Sequence, residues 1–192
     1  MKRTIVGVAG IVFVMGLASP AHAMKAALKV GVNYADLGGE DDPDMDPSLR
    51  YAGGLVFSPT GPFGLEVIYS QKGAQEDLGG GSMYYIEGEY AQATFLARLG
   101  GQNARLVLGG YAAFKLGKAR EILEGGGMTV TDESIDDDIK DLDFGAVAGL
   151  SFGGRQATFD VRYEMGLTSI DDSSSPSDIV NEVITAGVTI RF

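Results

Sequence analysis

No cysteine and no tryptophan occur in this chain of 192 residues, and its one histidine, His22, lies near the N-terminus. Without cysteine there is no disulfide, no thiol nucleophile and no thiolate metal site. If the first residues are removed on export, histidine goes too, which excludes Ser-His or Cys-His catalysis and a histidine-based zinc centre. Positive charge is also scarce: Lys and Arg number 15 against 26 Asp and Glu, for a net charge of -11. Such a chain repels phosphate backbones, so nucleic acid is excluded as a partner. No segment beyond the N-terminus approaches the roughly 18 consecutive apolar residues of a membrane-crossing helix.

What is present begins with an export signal. Lys2 and Arg3 precede an apolar run, Ile5 to Leu17, and Ser19-Pro20-Ala21-His22-Ala23 follows with small residues in an A-x-A arrangement. This pattern predicts a secretory signal peptide over 1–23, leaving 24–192 as one domain.

In that domain the apolar residues recur at every second position, the period of a strand with one apolar face. Eight such stretches can be read: 28–34, 50–57, 63–70, 84–99, 105–116, 143–152, 157–168 and 183–192. In the last, Ile184, Ala186, Val188, Ile190 and Phe192 share one face, opposite Val183, Thr185, Gly187, Thr189 and Arg191. The fourth is less regular, because Glu87 and Glu89 fall on its apolar side, which predicts that they lie above a membrane or beyond a bulge.

The connections alternate in length. Ser58-Pro59-Thr60-Gly61-Pro62, Gly101-Gln102-Asn103 and Gly153-Gly154-Arg155-Gln156 are compact turns. The segments 36–49, 71–83, 118–141 and 170–180 are long and polar. Short turns at one end and long loops at the other predict an all-β, transmembrane antiparallel barrel of about eight strands, with periplasmic turns and extracellular loops. Aromatic residues bracket the apolar band: Phe57, Phe63, Phe152, Phe159 and Phe192 near the short turns, and Tyr34, Tyr51, Tyr69, Phe114 and Phe144 near the long loops.

The opposite faces carry Lys29, Arg50, Glu66, Arg98, Arg105, Lys115, Asp143, Asp160, Arg162, Glu164 and Arg191. An eight-stranded barrel is only wide enough inside for side chains. These charges are therefore expected to pair as a lumen network, since a dry unpaired charge is costly. The row Asp160, Arg162, Glu164 reads as a salt-bridge ladder and not as a catalytic acid–base set.

The long segments hold most of the acid: six carboxylates in the first, two in the second, eight in the third and three in the fourth. Asp42, Asp44 and Asp46 repeat every second residue like the start of a calcium loop. Pro47 stands where that loop needs glycine and Gly53 where it needs glutamate, so they are weak metal candidates. Asp136-Asp137-Asp138 has no ligand spacing. Gly79-Gly80-Gly81 and Gly125-Gly126-Gly127 lack the following Lys-Ser/Thr of a phosphate loop and read as loop tips.

With its N-terminal signal, eight amphipathic strands and a final strand Ile184-Thr185-Ala186-Gly187-Val188-Thr189-Ile190-Arg191-Phe192, the chain resembles the small outer-membrane β-barrel family that includes porin-like and OmpA-like membrane domains. The resemblance implies outer-membrane lipid and lipopolysaccharide as surroundings, and Phe192 as the signal read by the barrel assembly machinery. It is silent on role. No cofactor is expected and no enzyme activity; a structural or surface-interaction role is, with an extracellular ligand that the sequence does not name. A narrow porin-like channel and a soluble lipocalin-like barrel stay open as alternatives.

Overall fold

The computed structural model describes residues 25–40, 45–58, 60–101, 103–117, 119–125, 128–135, 139–172 and 178–192. The predicted signal peptide, Asp42, Asp44 and the run 136–138 lie outside these residues. Among the described residues ten strands are formed: β1 Ala26–Gly39, β2 Asp46–Phe57, β3 Phe63–Gly79, β4 Ser82–Gly100, β5 Ala104–Lys115, β6 Arg120–Gly125, β7 Met128–Ser134, β8 Leu142–Gly153, β9 Ala157–Gly166 and β10 Ile179–Arg191.

Eight of them close a ring in the order β3-β2-β1-β10-β9-β8-β5-β4, with β4 returning to β3 and every pairing antiparallel. The first and last ring strands meet from Ala27 opposite Arg191 to Gly39 opposite Ile179. Closure matters because hydrocarbon offers no partner for an unpaired backbone N–H or C=O.

Alternation then sorts the two faces. Along β1, Val30 is 51% exposed while its neighbour Lys29 is 2% exposed. Leu55, Leu108, Leu150, Val161 and Ile190 are exposed on other strands in the same way, whereas Glu66, Gln92, Asp143, Asp160 and Thr185 are buried. The barrel is thus apolar outside and polar inside. That polarity is the reverse of a soluble ligand-carrying barrel, and it removes the lipocalin-like alternative.

The strands at one corner are longer than the sequence pattern suggests. β3 has 17 residues and β4 has 19, against the roughly 9–11 that cross a bilayer. Residues 71–83, expected as a loop, are instead mostly strand, and the tight turn at Gly79-Gly80-Gly81 joins β3 directly to β4. All three of these glycines have positive φ, between 65° and 81°, where a Cβ would strain the turn. Above the point where β5 leaves β4, β6 takes its place, pairing Glu87 with Arg120 through to Ser82 with Gly125. The segment 118–141, also expected as a loop, therefore contains the β6–β7 hairpin, and β3, β4, β6 and β7 make a four-stranded sheet projecting from the rim.

No bulge separates Glu87 and Glu89 from the rest of β4 in its pairing with β3; they lie on the upper part of the 19-residue strand, where β6 and not β5 begins to pair with it. β4 keeps register with β3 from Phe63 opposite Ala97 to Asp77 opposite Met83, and the bulge falls in β2 between Pro47 and Ala52.

Candidate functional site

Within the ring the buried polar side chains form two clusters and a collar. The first centres on Glu66 of β3. Arg162 of β9 donates to it through Nη1 to Oε2 at 2.7 Å and Nη2 to Oε1 at 2.9 Å. Lys29 of β1 donates to the same carboxylate at 3.2 Å, and Arg98 of β4 stands 3.8 Å away. Asp160 completes the set, receiving Arg162 at 2.9 Å and lying 3.2 Å from Lys29. β3 and β9 are four strands apart whichever way the ring of eight is counted, so the Glu66–Arg162 pair spans the interior between opposite walls.

The second cluster centres on Asp143 of β8. It accepts from Lys72 Nζ at 2.9 Å, from the Tyr111 hydroxyl and from Asn181 Nδ2 at 3.0 Å. Both side chains of the Lys72–Asp143 pair are 0% exposed. The Lys72 ammonium also lies 4.0 Å from the centre of the Tyr111 ring and 5.4 Å from that of Tyr90, close enough for cation–π attraction. Tyr111 can lie there because its partner across the β5–β8 pairing is Gly145; a Cβ at that position would collide with the phenol ring. Between the clusters, Glu164 accepts from Gln92 at 2.9 Å, and Asn33 links Ser70 and Thr185.

A collar of guanidiniums closes the short-turn end. Arg98 donates to the Ser58 carbonyl, Arg105 to those of Gly101 and Thr60, and Arg191 to those of Gly154 and Arg155 and to the Thr158 hydroxyl. At the other end Lys115 reaches the Ile139 carbonyl and lies 3.5 Å from Asp141. There Ile170, from the β9–β10 connection, is buried against Leu37 and Ala74, which continue the inward rows of β1 and β3. The Lys140 N–H bonds the Ile170 carbonyl, and the Ile170 N–H bonds that of Ile179, so two connections are tied together at this mouth.

Of the eleven charges singled out by alternation, Lys29, Glu66, Arg98, Asp160 and Arg162 come together. Asp143 and Glu164 sit in the separate sets just described, and Arg105, Arg191 and Lys115 sit at the two ends. Arg50 joins none of these. Its guanidinium pairs with Glu87 at 2.9 Å and lies 5.7 Å over the Tyr85 ring, next to the bulge in β2. Lys72 escaped the sequence reading although it continues the even row of Glu66, Ile68 and Ser70. The uncharged members, Asn33, Gln92, Tyr111 and Asn181, escaped it as well. Among the described residues no group of three or more carboxylates or other ligating side chains is arranged for a metal; Asp46 alone of the three loop aspartates is described, at the start of β2. Phe192 follows the last residue of β10 and is 91% exposed.

A closed ring with lipid-facing aliphatic rows and internal ion pairs defines a small outer-membrane β-barrel. Residues 19–172 match the family model described as outer membrane protein beta-barrel domain, and the chain belongs to that family. Two solved structures share the fold. One is Ail, the attachment invasion locus protein of Yersinia pestis, in complex with the heparin analogue sucrose octasulfate: 13% identity, TM-score 0.53, covering 88% of this chain and 99% of that one. The other is Neisserial surface protein A, NspA: 11% identity, TM-score 0.55, covering 87% and 97%. No curated protein matches the chain. Its location is the outer membrane, with the short turns on the periplasmic side in the manner of such barrels.

Proposed function

We propose that the protein, after loss of residues 1–23, is a closed anchor that holds an acidic surface outside the cell for adhesion or envelope contacts, without enzymatic activity. The observation that carries this reading is the Glu66–Arg162 pair, which ties opposite walls of the ring at 2.7 Å. With arginines bonded to the turn carbonyls below and Ile170 seated above, the interior serves as a strut and not as a conduit.

The projecting β3–β4–β6–β7 sheet and the connections beside it are what remains for partners. Their chemistry differs from what the name of one similar structure suggests. Ail was solved with a sulfated sugar analogue, whereas the long segments of this chain carry the carboxylates counted above against only Lys72, Lys118, Arg120 and Lys140, and Lys72 is buried. A polysulfate would be repelled. The fitting partners are cationic protein surfaces, and lipopolysaccharide phosphates reached through bridging Mg²⁺ or Ca²⁺.

Planar-bilayer recording of the refolded protein tests the closed interior, with background conductance expected and reproducible channels rejecting it. Binding of whole cells to cationic and to sulfated surfaces tests the exterior. Retention on the cationic surface, lost at high salt, is expected; preference for the sulfated one would overturn the assignment.

A further inference from the structure

Charge is divided between the two ends of the barrel. The long segments at the outer end hold most of the acid, whereas the residues nearest the periplasm, 25–28, 55–65, 97–107, 150–159 and 188–192, include no Asp or Glu. They do include Lys25, Arg98, Arg105, Arg155 and Arg191. Arg98 is 9% exposed and belongs to the interior. The other four stand on an arc of five neighbouring strands: Lys25 just before β1, Arg191 on β10, Arg155 in the turn between β8 and β9, and Arg105 on β5. Arg105 and Arg191 are half-buried and spend hydrogen bonds on turn carbonyls. Lys25 and Arg155 are exposed, and among the described residues neither side chain has a hydrogen-bond or ion-pair partner.

The level at which these cations stand selects what they meet. Phe63, Phe152, Phe159 and Phe192, all exposed on the lipid side, mark where the apolar band gives way to headgroups. Arg155 lies in the turn closed by the Phe152–Phe159 pair. Lys25 is fixed next to the Ala26–Phe57 pair, its carbonyl accepting from the Ser58 N–H at 2.9 Å. Both long side chains can therefore run along the rim with their charges in the headgroup layer. We propose that this arc is a docking surface for anionic phospholipids of the periplasmic leaflet, recognised through the phosphodiester of the headgroup. The turns are too short to carry the rim beyond that layer, so lipid meets these charges before a soluble acidic partner does. The carboxylates of the outer end lie across an apolar band about 25 Å tall. Each end of the barrel thus suits a different leaflet, and the bound lipids hold the short-turn end on the periplasmic side.

Electron spin resonance of the barrel refolded into phosphatidylcholine vesicles tests the surface, because spin-labelled lipid held at the protein gives a separate, immobilised spectrum. Spin-labelled phosphatidylglycerol is expected to be held roughly twofold to fivefold more than spin-labelled phosphatidylcholine, with the preference weakened at high salt. Each variant is first checked for folding by its gel shift on boiling. Lys25→Gln combined with Arg155→Gln should remove most of the preference. Arg120→Gln combined with Lys140→Gln, an equal loss of charge at the outer end, should leave it in place. Equal binding of the two lipids by the wild-type protein, or equal effects of the two double variants, overturns the proposal. Displacement of phosphatidylglycerol by inorganic phosphate at constant ionic strength would mean a site for the free ion and overturns it too.

Discussion

At Glu66 three cations converge on one carboxylate inside a low-dielectric ring, and two of them, Lys29 and Arg162, share Asp160 as a second. Removing that charge leaves Asp160 as the one carboxylate facing Lys29 and Arg162, without changing the shape of the site. Glu66→Gln is therefore expected to cost about 3–5 kcal/mol, read by urea unfolding in lipid vesicles with circular dichroism; a loss within experimental error would mean that the cluster contributes nothing net. Packing is tested at Gly145. Gly145→Ala must push the Tyr111 ring off its seat and loosen its bond to Asp143, costing about 1–3 kcal/mol in the same measurement. The inward charges of β1, β3 and β9 were legible from alternation, because in a membrane barrel the lipid makes the outer face apolar and leaves the other face to stand out. Lys72 was not legible for the same reason. Beyond Tyr69 the strand rises out of the apolar layer, the outer row ceases to be hydrophobic, and the period fades while the strand continues. Arg50 stands opposite the buried Asn33 across the β1–β2 pairing but pairs with Glu87 of β4, beside a one-residue shift in β2 that nothing in the local sequence marks.

Among the described strands the β6–β7 hairpin pairs with the ring through β4, and its two ends already meet, the Ile135 N–H donating to the Ala119 carbonyl at 3.1 Å. Replacing 120–134 with a two-glycine link should thus leave the ring intact. The shortened protein is expected to keep the gel shift on boiling that folded barrels show, and a variant that runs as unfolded chain would show that the hairpin belongs to the barrel's folding unit. Within the projecting sheet Tyr84 reports on β4–β6 docking. Burial first, then the charge and hydrogen bond of Glu121, push its phenol up from 10.0 to about 12. The folded sheet holds the proton more tightly than a released strand does. Its contribution is therefore whole below pH 10 and is lost as the pH rises through about 12. A difference titration of phenolate absorbance between the wild-type protein and Tyr84→Phe should place that group near 12, and Glu121→Gln should lower it part of the way, since burial remains. These outer elements were the least legible in the sequence. A strand pair wetted on both faces, as in Glu121-Ile122-Leu123-Glu124, has no single apolar row to reveal it.

On the scale of the molecule, the layering of polarity determines where the chain is stable, and it separates folding from delivery. The ring is held by eight cross-strand pairings and by internal ion pairs, none of which involves the side chain of Phe192. That ring lies beyond the last hydrogen-bonded residue of β10, 91% exposed on the lipid side of the periplasmic rim. Deleting an aromatic group with so little buried contact removes little transfer energy from the folded state. If Phe192 is read by the assembly machinery, as the form of the final strand implies, its loss should act only in the cell. Phe192→Ala is expected to refold from urea into detergent with wild-type yield and unfolding midpoint, while the amount in the outer membrane falls several-fold and chain accumulates in the periplasm. Equal losses in both settings would make Phe192 part of the fold's own stability, and no loss in either would leave the closure of β1 on β10 as the feature that the cell recognises.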